Sequence, residues 1–305
     1  MALKDIKLKI KSVDRTRKVT KAMESVSAVK MRKSQLRALS GRPYAAAALS
    51  ILERMSVSLE SIKHPLTTVR TVKNAAVVVV TSDKGLCGVL NAAVIKEAER
   101  AIASLELPRD AISIYAFGRK GAEYFDRRGY TIEGKFENVS DDVSVADLAL
   151  VANAIATAFV ERRYDRVLVA YTNFRSTFEQ NAVSHAVLPL SLESIAPVVS
   201  GIAPEKGKFA VVEKSKGPSF YTVEPSPESV VDRLIPRLVS ILFYHALLES
   251  KASEHSARMV AMKNASDKSR DLSKSLTRTF NKARQAMITR EVSEIVGGIE
   301  AMASA

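Results

Sequence analysis

The 305-residue chain holds a single cysteine, Cys87, so an internal disulfide is impossible, which fits a reducing compartment. No glycine or proline occurs before Gly41, and no aromatic residue before Tyr44. The first absence leaves a long N-terminal helix without a breaker. The second argues against a nucleic-acid-binding arm, in which aromatics interleave with basic residues. Long hydrophobic runs are also missing: the uncharged stretches 148–160 and 180–192 fall short of the ~20 residues that span a bilayer, and Pro189 interrupts the second. The opening "MALKDIKLKI" has no apolar stretch of secretory type. Acidic residues are scarce at the start. Residues 1–42 carry 13 Lys and Arg against Asp5, Asp14 and Glu24, whereas residues 43–227 balance at 21 against 21. The formal charge of +13 is thus concentrated in the first segment and implies an acidic partner: nucleic acid, anionic lipid or an acidic protein surface.

What is present is helical periodicity at both ends. Ile6, Ile10, Val13, Val19, Met23, Val26 and Val29 form a stripe with one wider interval around Arg17. The pattern predicts a helix from about Leu3 to about Met55, able to bend at Pro43, roughly 80 Å long at 1.5 Å per residue. Near the other end Ser226 is placed as an N-cap, with Pro227 at the first helical position and Glu228 after it. Leu238, Ile241, His245, Leu248, Ala252, His255, Met259 and Met262 then step by three and four, and Leu272, Leu276, Phe280, Ala283 and Met287 resume the pattern. Gly297 and Gly298 provide a stop, and Pro236 kinks the first turns at most. About 70 residues of helix extend roughly 105 Å. A pattern this long, without self-similarity at 20 to 50 residues, predicts a coiled coil rather than a repeat array. Its seam is poor in Leu and rich in Ala, Ser, Met and His, hence loosely specified.

Between these segments the period changes. "AAVVVVTSD" (75–83), "ISIYAFG" (112–118) and "RVLVAYTNF" (166–174) read as strands, alternating with helical stretches at 91–105, about 120–128 and 145–162. "KFAVVE" (208–213) adds a further candidate strand. The predicted fold class is α/β: a long antiparallel coiled coil of N- and C-terminal helices with an inserted three-layer α/β, Rossmann-like domain. The expected division is 1–58 for the first coiled-coil helix, 70–215 for the insert and 226–298 for the second helix.

An α/β insert invites an enzymatic reading, which the motifs do not sustain. "GIAPEKGKF" from Gly201 has five residues between its glycines where a phosphate loop has four, and Phe209 stands where Ser or Thr would meet magnesium. "SDKGLCG" (82–88) lies where α/β sheets bind ligands, but its glycines lack dinucleotide spacing, and a tight strand-to-helix turn is the better reading. His64, His185, His245 and His255 are scattered, without metal-ligand spacing, and His245 and His255 read as tolerated seam residues. Asp141 and Asp142 read as solvated loop carboxylates without a partner, and Cys87 as a buried apolar residue. No catalytic residue, cofactor or metal is expected. A nucleotide-binding α/β enzyme, with its ligand near residues 82–91, and a basic coiled-coil nucleic-acid-binding protein are the rival readings; the latter predicts affinity falling steeply with salt.

Four blocks, "TKAMESVSAVKMRKSQ", "TSDKGLCGVLN", "SEHSARMVAMKNASD" and "FNKARQAMITREVSEIVGG", together resemble the gamma subunit of the bacterial F-type, proton-translocating ATP synthase. They cover both termini and the first strand of the insert, in the family's order. The resemblance implies a rotor shaft turning inside a hexamer of alpha and beta subunits, its α/β domain forming, with the epsilon subunit, a foot on the membrane c-ring. It implies coupling of proton flow to nucleotide chemistry at the beta subunits, without chemistry of its own. It implies contacts with the alpha–beta hexamer at Met23, followed by Lys30, Arg32 and Lys33 on the same basic face, and at Arg258, Arg284, Gln285, Thr289 and Glu291. Ser25 and Ser27 replace the family's frequent Met and Ala, and Lys268 an Asn or Gly, which alters local seam packing. The lone Cys87 excludes the plant-type thiol switch. The start at "MALKDI", without a transit peptide, gives the expectation of a bacterial protein on the cytoplasmic face of the inner membrane, attached only through its partners.

Overall fold

Both terminal segments form single long helices in the computed structural model, which describes residues 3–59, 64–190 and 226–303, with side chains over 3–37, 64–190 and nearly all of 226–302. Helix α1 runs Leu3–Leu59, with Asp5 in its first turn, where a carboxylate opposes the helix dipole. The C-terminal helix, α5 here, runs Pro227–Ala303. Its start is the predicted one: Ser226 Oγ accepts from the Ser229 amide at 3.2 Å. Its end is not. The helix passes through Gly297 and Gly298, because a glycine costs only ~1 kcal/mol relative to alanine and the residues on both sides are ordinary helix formers. The candidate strand at 208–213 and the loop from Gly201 lie outside the described residues.

The chain divides into two compact units, Met1–Ser27 with Met259–Ala305, and Ala28–Arg258. In the first, the ends of α1 and α5 pair as an antiparallel coiled coil in which Ser273 donates to the Asp14 carboxylate at 3.0 Å. The inward residues of α5 are Met262, Ser266, Ser269, Ser273, Leu276, Phe280 and Ala283, a strict alternation of four and three. On α1 they are Ile6, Ile10, Val13, Arg17, Thr20, Glu24 and Ser27. This corrects the predicted stripe at Val19, Val26 and Val29, while Met23 is half-buried. The wider interval is filled by Arg17, and the seam continues through small hydroxylated residues while Val19, Val26 and Val29 stand 58%, 56% and 71% exposed. Thr20 tolerates burial because its hydroxyl donates to the Arg17 carbonyl at 3.1 Å.

The second unit is built on a five-stranded sheet of order β3-β2-β1-β4-β5. Its strands are β1 (Ala75–Val80), β2 (Ile112–Phe117), β3 (Thr131–Phe136), β4 (Arg166–Phe174) and β5 (Gln180–Leu188). The first four run parallel, and β5 returns antiparallel to β4 as a hairpin. Helices α2 (Leu90–Ala103) and α3 (Arg119–Asp126) make the crossovers to β2 and β3, and α4 (Val145–Val160) carries the chain back to β4. Ser144 begins α4 with a reciprocal capping box to Asp147. On one face Val77, Val79, Ile114 and Leu168 pack against Val94, Ala98 and Phe125 of α2 and α3. On the other, Val78, Val80, Val169 and Tyr171 pack against Ile155 and Phe159 of α4 and Ile235, Leu238, Leu242 and Ala246 of α5. The continuous burial of β1 is that of a parallel strand covered on both faces. The two edge strands, β3 and β5, were not expected from the sequence.

Candidate functional site

The basic face of α1 is partly engaged inside the chain. The loop between β3 and α4 brings Asp141 and Asp142 to it. Lys30 donates to Asp141 at 2.8 Å, Lys33 pairs with Asp142 at 2.8 Å, and Arg37 donates to the Asp141 carbonyl and pairs with Asp142. Arg32 is exposed. From α5, His255 Nε2 lies 3.0 Å from Asp141 Oδ1. Lys251 lies 3.8 Å from the same oxygen and donates to the Val139 carbonyl at 2.9 Å. The His255 hydrogen bond, then that of Lys30 and the neighbouring charges, hold the Asp141 carboxyl far below the usual range, against the opposing effect of burial. Asp142 is held low by the Lys33 hydrogen bond and the charge of Arg37. The reading of both aspartates as partnerless is therefore corrected. Their partners stand 104 to 114 residues away in the chain, a separation that no local spacing reveals. Arg37 and Lys251 were missed for the same reason.

The turn after β1, "SDKGLCG", is fastened internally. Asn91 Oδ1 accepts from the Ser82 amide at 2.9 Å, Ser82 Oγ donates to the Lys84 carbonyl at 2.6 Å, and the Asn91 amide nitrogen lies 3.3 Å from Cys87 Sγ. Arg258 is only 8% exposed; its guanidinium donates to the carbonyls of Lys84 and Gly85 and to Glu254 at 2.7 Å. The amide that opens the turn, that of Ser82, is thus taken by Asn91, while the start of α2 at Leu90 carries no side-chain cap. Gly118 supports the turn from β2. Its φ is +93° and a Cβ there would lie 2.2 Å from the Thr81 carbonyl oxygen, so only glycine fits.

The remaining expected contact residues belong to the other unit. Met23 is half-buried, and Arg284, Gln285, Thr289 and Glu291 are exposed on α5, where the Thr289 hydroxyl donates to the Gln285 carbonyl at 3.0 Å. Residues 284–297 are exposed throughout, among them Met287, Ile288, Val292, Ile295 and Val296. His245 and Glu249, both buried, lie 2.9 Å apart without hydrogen-bond alignment, and Glu249 Oε2 has no hydrogen-bond partner among the described residues. Among the described residues no group of three His, Cys, Asp or Glu side chains could hold a metal ion, and no helix is long and apolar enough to cross a membrane.

Comparison with known proteins agrees with this architecture. A family model described as ATP synthase matches residues 2–302. The ATP synthase gamma chain of Heliobacterium modesticaldum is 38% identical over 301 residues, covering 98% of this chain and 99% of its own. That of a Parafrankia species is 40% identical over 308 residues, covering 99% and 98%. Among solved structures, the central stalk and c-ring of the Tetrahymena thermophila mitochondrial ATP synthase contains a chain that aligns with a TM-score of 0.58 at 25% identity, over 81% of this chain and 99% of that one. A rotor chain of the Euglena gracilis mitochondrial enzyme shares the fold, with a TM-score of 0.62 at 19% identity over 94% and 98%. The matches run from one end of the sequence to the other, across both helices and the insert, and on that basis the chain belongs to the gamma-chain family of the ATP synthases.

Proposed function

We propose that the chain is the central rotor shaft of an F-type ATP synthase. It couples proton flow through the membrane c-ring to ATP synthesis or hydrolysis at the beta subunits by rotating inside the alpha–beta hexamer. The observation that carries this reading is the end of α5. Residues 284–297 are exposed on every side, and five of them are Met, Ile or Val. At about 100° per residue these five fall within one half of the helix circumference, a broad exposed apolar face of the kind that marks a protein contact, which a surrounding sleeve of subunits supplies. The shaft contributes no bond-making residue; it transmits rotation, and the nucleotide chemistry belongs to its partners.

The division at 1–58, 70–215 and 226–298 corresponds to a shaft of two helices and a foot that meets the epsilon subunit and the c-ring. Membrane attachment is through these partners alone, at the cytoplasmic face of a bacterial inner membrane. Met23, Arg32, Arg284, Gln285, Thr289 and Glu291 are the hexamer contacts. Lys30 and Lys33 serve there while shared with Asp141 and Asp142, and Arg258 serves by holding the turn at Lys84 and Gly85. The rival nucleic-acid reading is left without support by relatives that are ATP synthase chains.

The test is reconstitution. The purified chain is mixed with alpha and beta subunits of a related bacterium, and ATP hydrolysis is compared with that of alpha and beta alone. Stimulation that is lost on deletion from Asp271 onward is expected. A folded chain that neither co-purifies nor stimulates contradicts the reading.

A further inference from the structure

We infer that the loop at residues 137–144 is a clasp that fixes α1 and α5 to the α/β domain and gives the shaft its torsional stiffness at that level. The inference rests on the shaft reading above and assigns a role to Asp141, Asp142, Lys251 and His255, which are outside the expected hexamer contacts.

The two helices are held to the domain by different means. Helix α5 is anchored by a large apolar surface, with Ile235, Leu238, Leu242, Ala246 and Leu247 buried against the sheet and α4. Helix α1 over residues 28–37 offers little of this kind. Ser34 is its one fully buried side chain there, and Val29 and Leu36 are exposed. What ties this stretch to the domain is charge: Lys30 to Asp141, Lys33 and Arg37 to Asp142, and Arg37 to the Asp141 carbonyl. Asp141 also receives His255 and Lys251 from α5, so one carboxylate joins three elements. The Lys251 bond to the Val139 carbonyl fixes the loop backbone as well.

The loop is held from its other end too. The Asn138 amide donates to Asp83 at 3.0 Å, and the same carboxylate accepts from the Arg119 amide at 3.0 Å. A load on the domain therefore reaches the loop through the strand ends of β1, β2 and β3, and reaches α1 through the aspartates. An isolated exposed ion pair yields readily, but pairs that share one anchored carboxylate must move together. Asp141 and Asp142 are accordingly positioning residues: they touch no nucleotide and act through the helices they hold.

The experiment uses the full chain assembled with alpha and beta subunits, the hexamer fixed to a surface and a bead attached to an Asp110→Cys variant of the chain. Asp110 is exposed and Cys87 buried, so labelling is selective. The angular variance of the bead is recorded while the motor waits for ATP. Asp141→Asn with Asp142→Asn is expected to at least double the variance while unloaded rotation speed at saturating ATP stays within a third of the parent. Asp141→Glu with Asp142→Glu should restore most of the stiffness. A merely destabilised chain would assemble poorly without this signature. Should the Asn pair fail to assemble, Lys251→Gln with His255→Gln removes the α5 half of the clasp and is read the same way. A parent chain that rotates, with variants of unchanged variance, overturns the clasp alone. A parent chain that assembles but never rotates overturns the shaft reading instead.

Discussion

Replacing Ser250 by alanine should destabilise the α/β unit far more than an exchange of two small residues suggests. Strand β4 pairs with β1 only as far as Ala170, yet it runs on to Phe174. On the side that β1 has left, α5 takes over. Ser250 Oγ accepts from the Thr172 amide at 3.1 Å, and Ser253 Oγ donates to the Thr172 carbonyl at 3.4 Å. Thr172 is 2% exposed, so water cannot replace the lost acceptor. Leaving a buried amide unpaired costs ~1–3 kcal/mol, and the better helix propensity of alanine returns ~0.5 kcal/mol, for a net loss of about 0.5–2.5 kcal/mol. Ser253→Ala removes a longer bond and should cost about 0–1 kcal/mol. With a urea m-value of ~2 kcal/mol/M, the Ser250 change moves the midpoint by roughly 0.3–1.2 M. The near-ultraviolet signal of Tyr115, Tyr164 and Tyr171, all buried in this unit, reports it, and amide exchange at Thr172 should accelerate in the Ser250 variant. An unchanged midpoint together with an equally protected Thr172 amide would refute the reasoning.

Four further outcomes are expected. Gly118→Ala forces a Cβ to 2.2 Å from the Thr81 carbonyl oxygen at positive φ and should cost more than about 3 kcal/mol, whereas Gly85→Ala, with nothing within 4 Å, should leave the melting temperature nearly unchanged. Burial lowers the pKa of His185 against the opposing charges of Glu249 and Glu97; the unfolded chain therefore takes up the proton first, stability falls as pH drops from 7 to 5, and His185→Gln should flatten that slope in urea titrations. Val26→Ser and Val29→Ser, at exposed positions, should each stay within about 0.5 kcal/mol of the parent in the same titration. Lys30→Ala should weaken ATP-driven proton pumping mildly, since an exposed ionic contact contributes only ~0.2–1 kcal/mol; complete uncoupling in reconstituted vesicles would contradict this.

What could be read in the sequence followed from how strongly burial marks each element. The β-branched runs of β1, β2 and β4 are buried on both faces and were legible. Strand β3, "TIEGKF", is an edge strand without one fully buried residue, and β5, "QNAVSHAVL", is mostly half-exposed, so neither shows a strong apolar signal. Two consecutive helical stretches at 120–128 and 145–162, both feeding parallel crossovers, were the one hint that a strand lay between them. The seam of α1 was misplaced because close packing selected Thr20 and Ser27 over Val19 and Val26: small hydroxylated residues allow near approach of two backbones, and a hydropathy pattern does not score them. The clasp was invisible because an ion pair such as Lys30 to Asp141 has no periodicity. The long helices and the Ser226 cap were legible because each depends on local spacing alone. The exposed end of α5 entered the sequence reading only as a set of expected contacts, since a helical pattern alone does not tell an exposed apolar residue from a buried one.

The central claim is that this chain turns. The direct measurement fixes the alpha–beta hexamer to glass, attaches a bead to the α/β domain through Asp110→Cys, and supplies ATP under a microscope. Unidirectional rotation that halts without ATP, and is lost when α5 is truncated from Asp271, is the predicted result. A bead that fluctuates without net direction on complexes that hydrolyse ATP at full rate would contradict it.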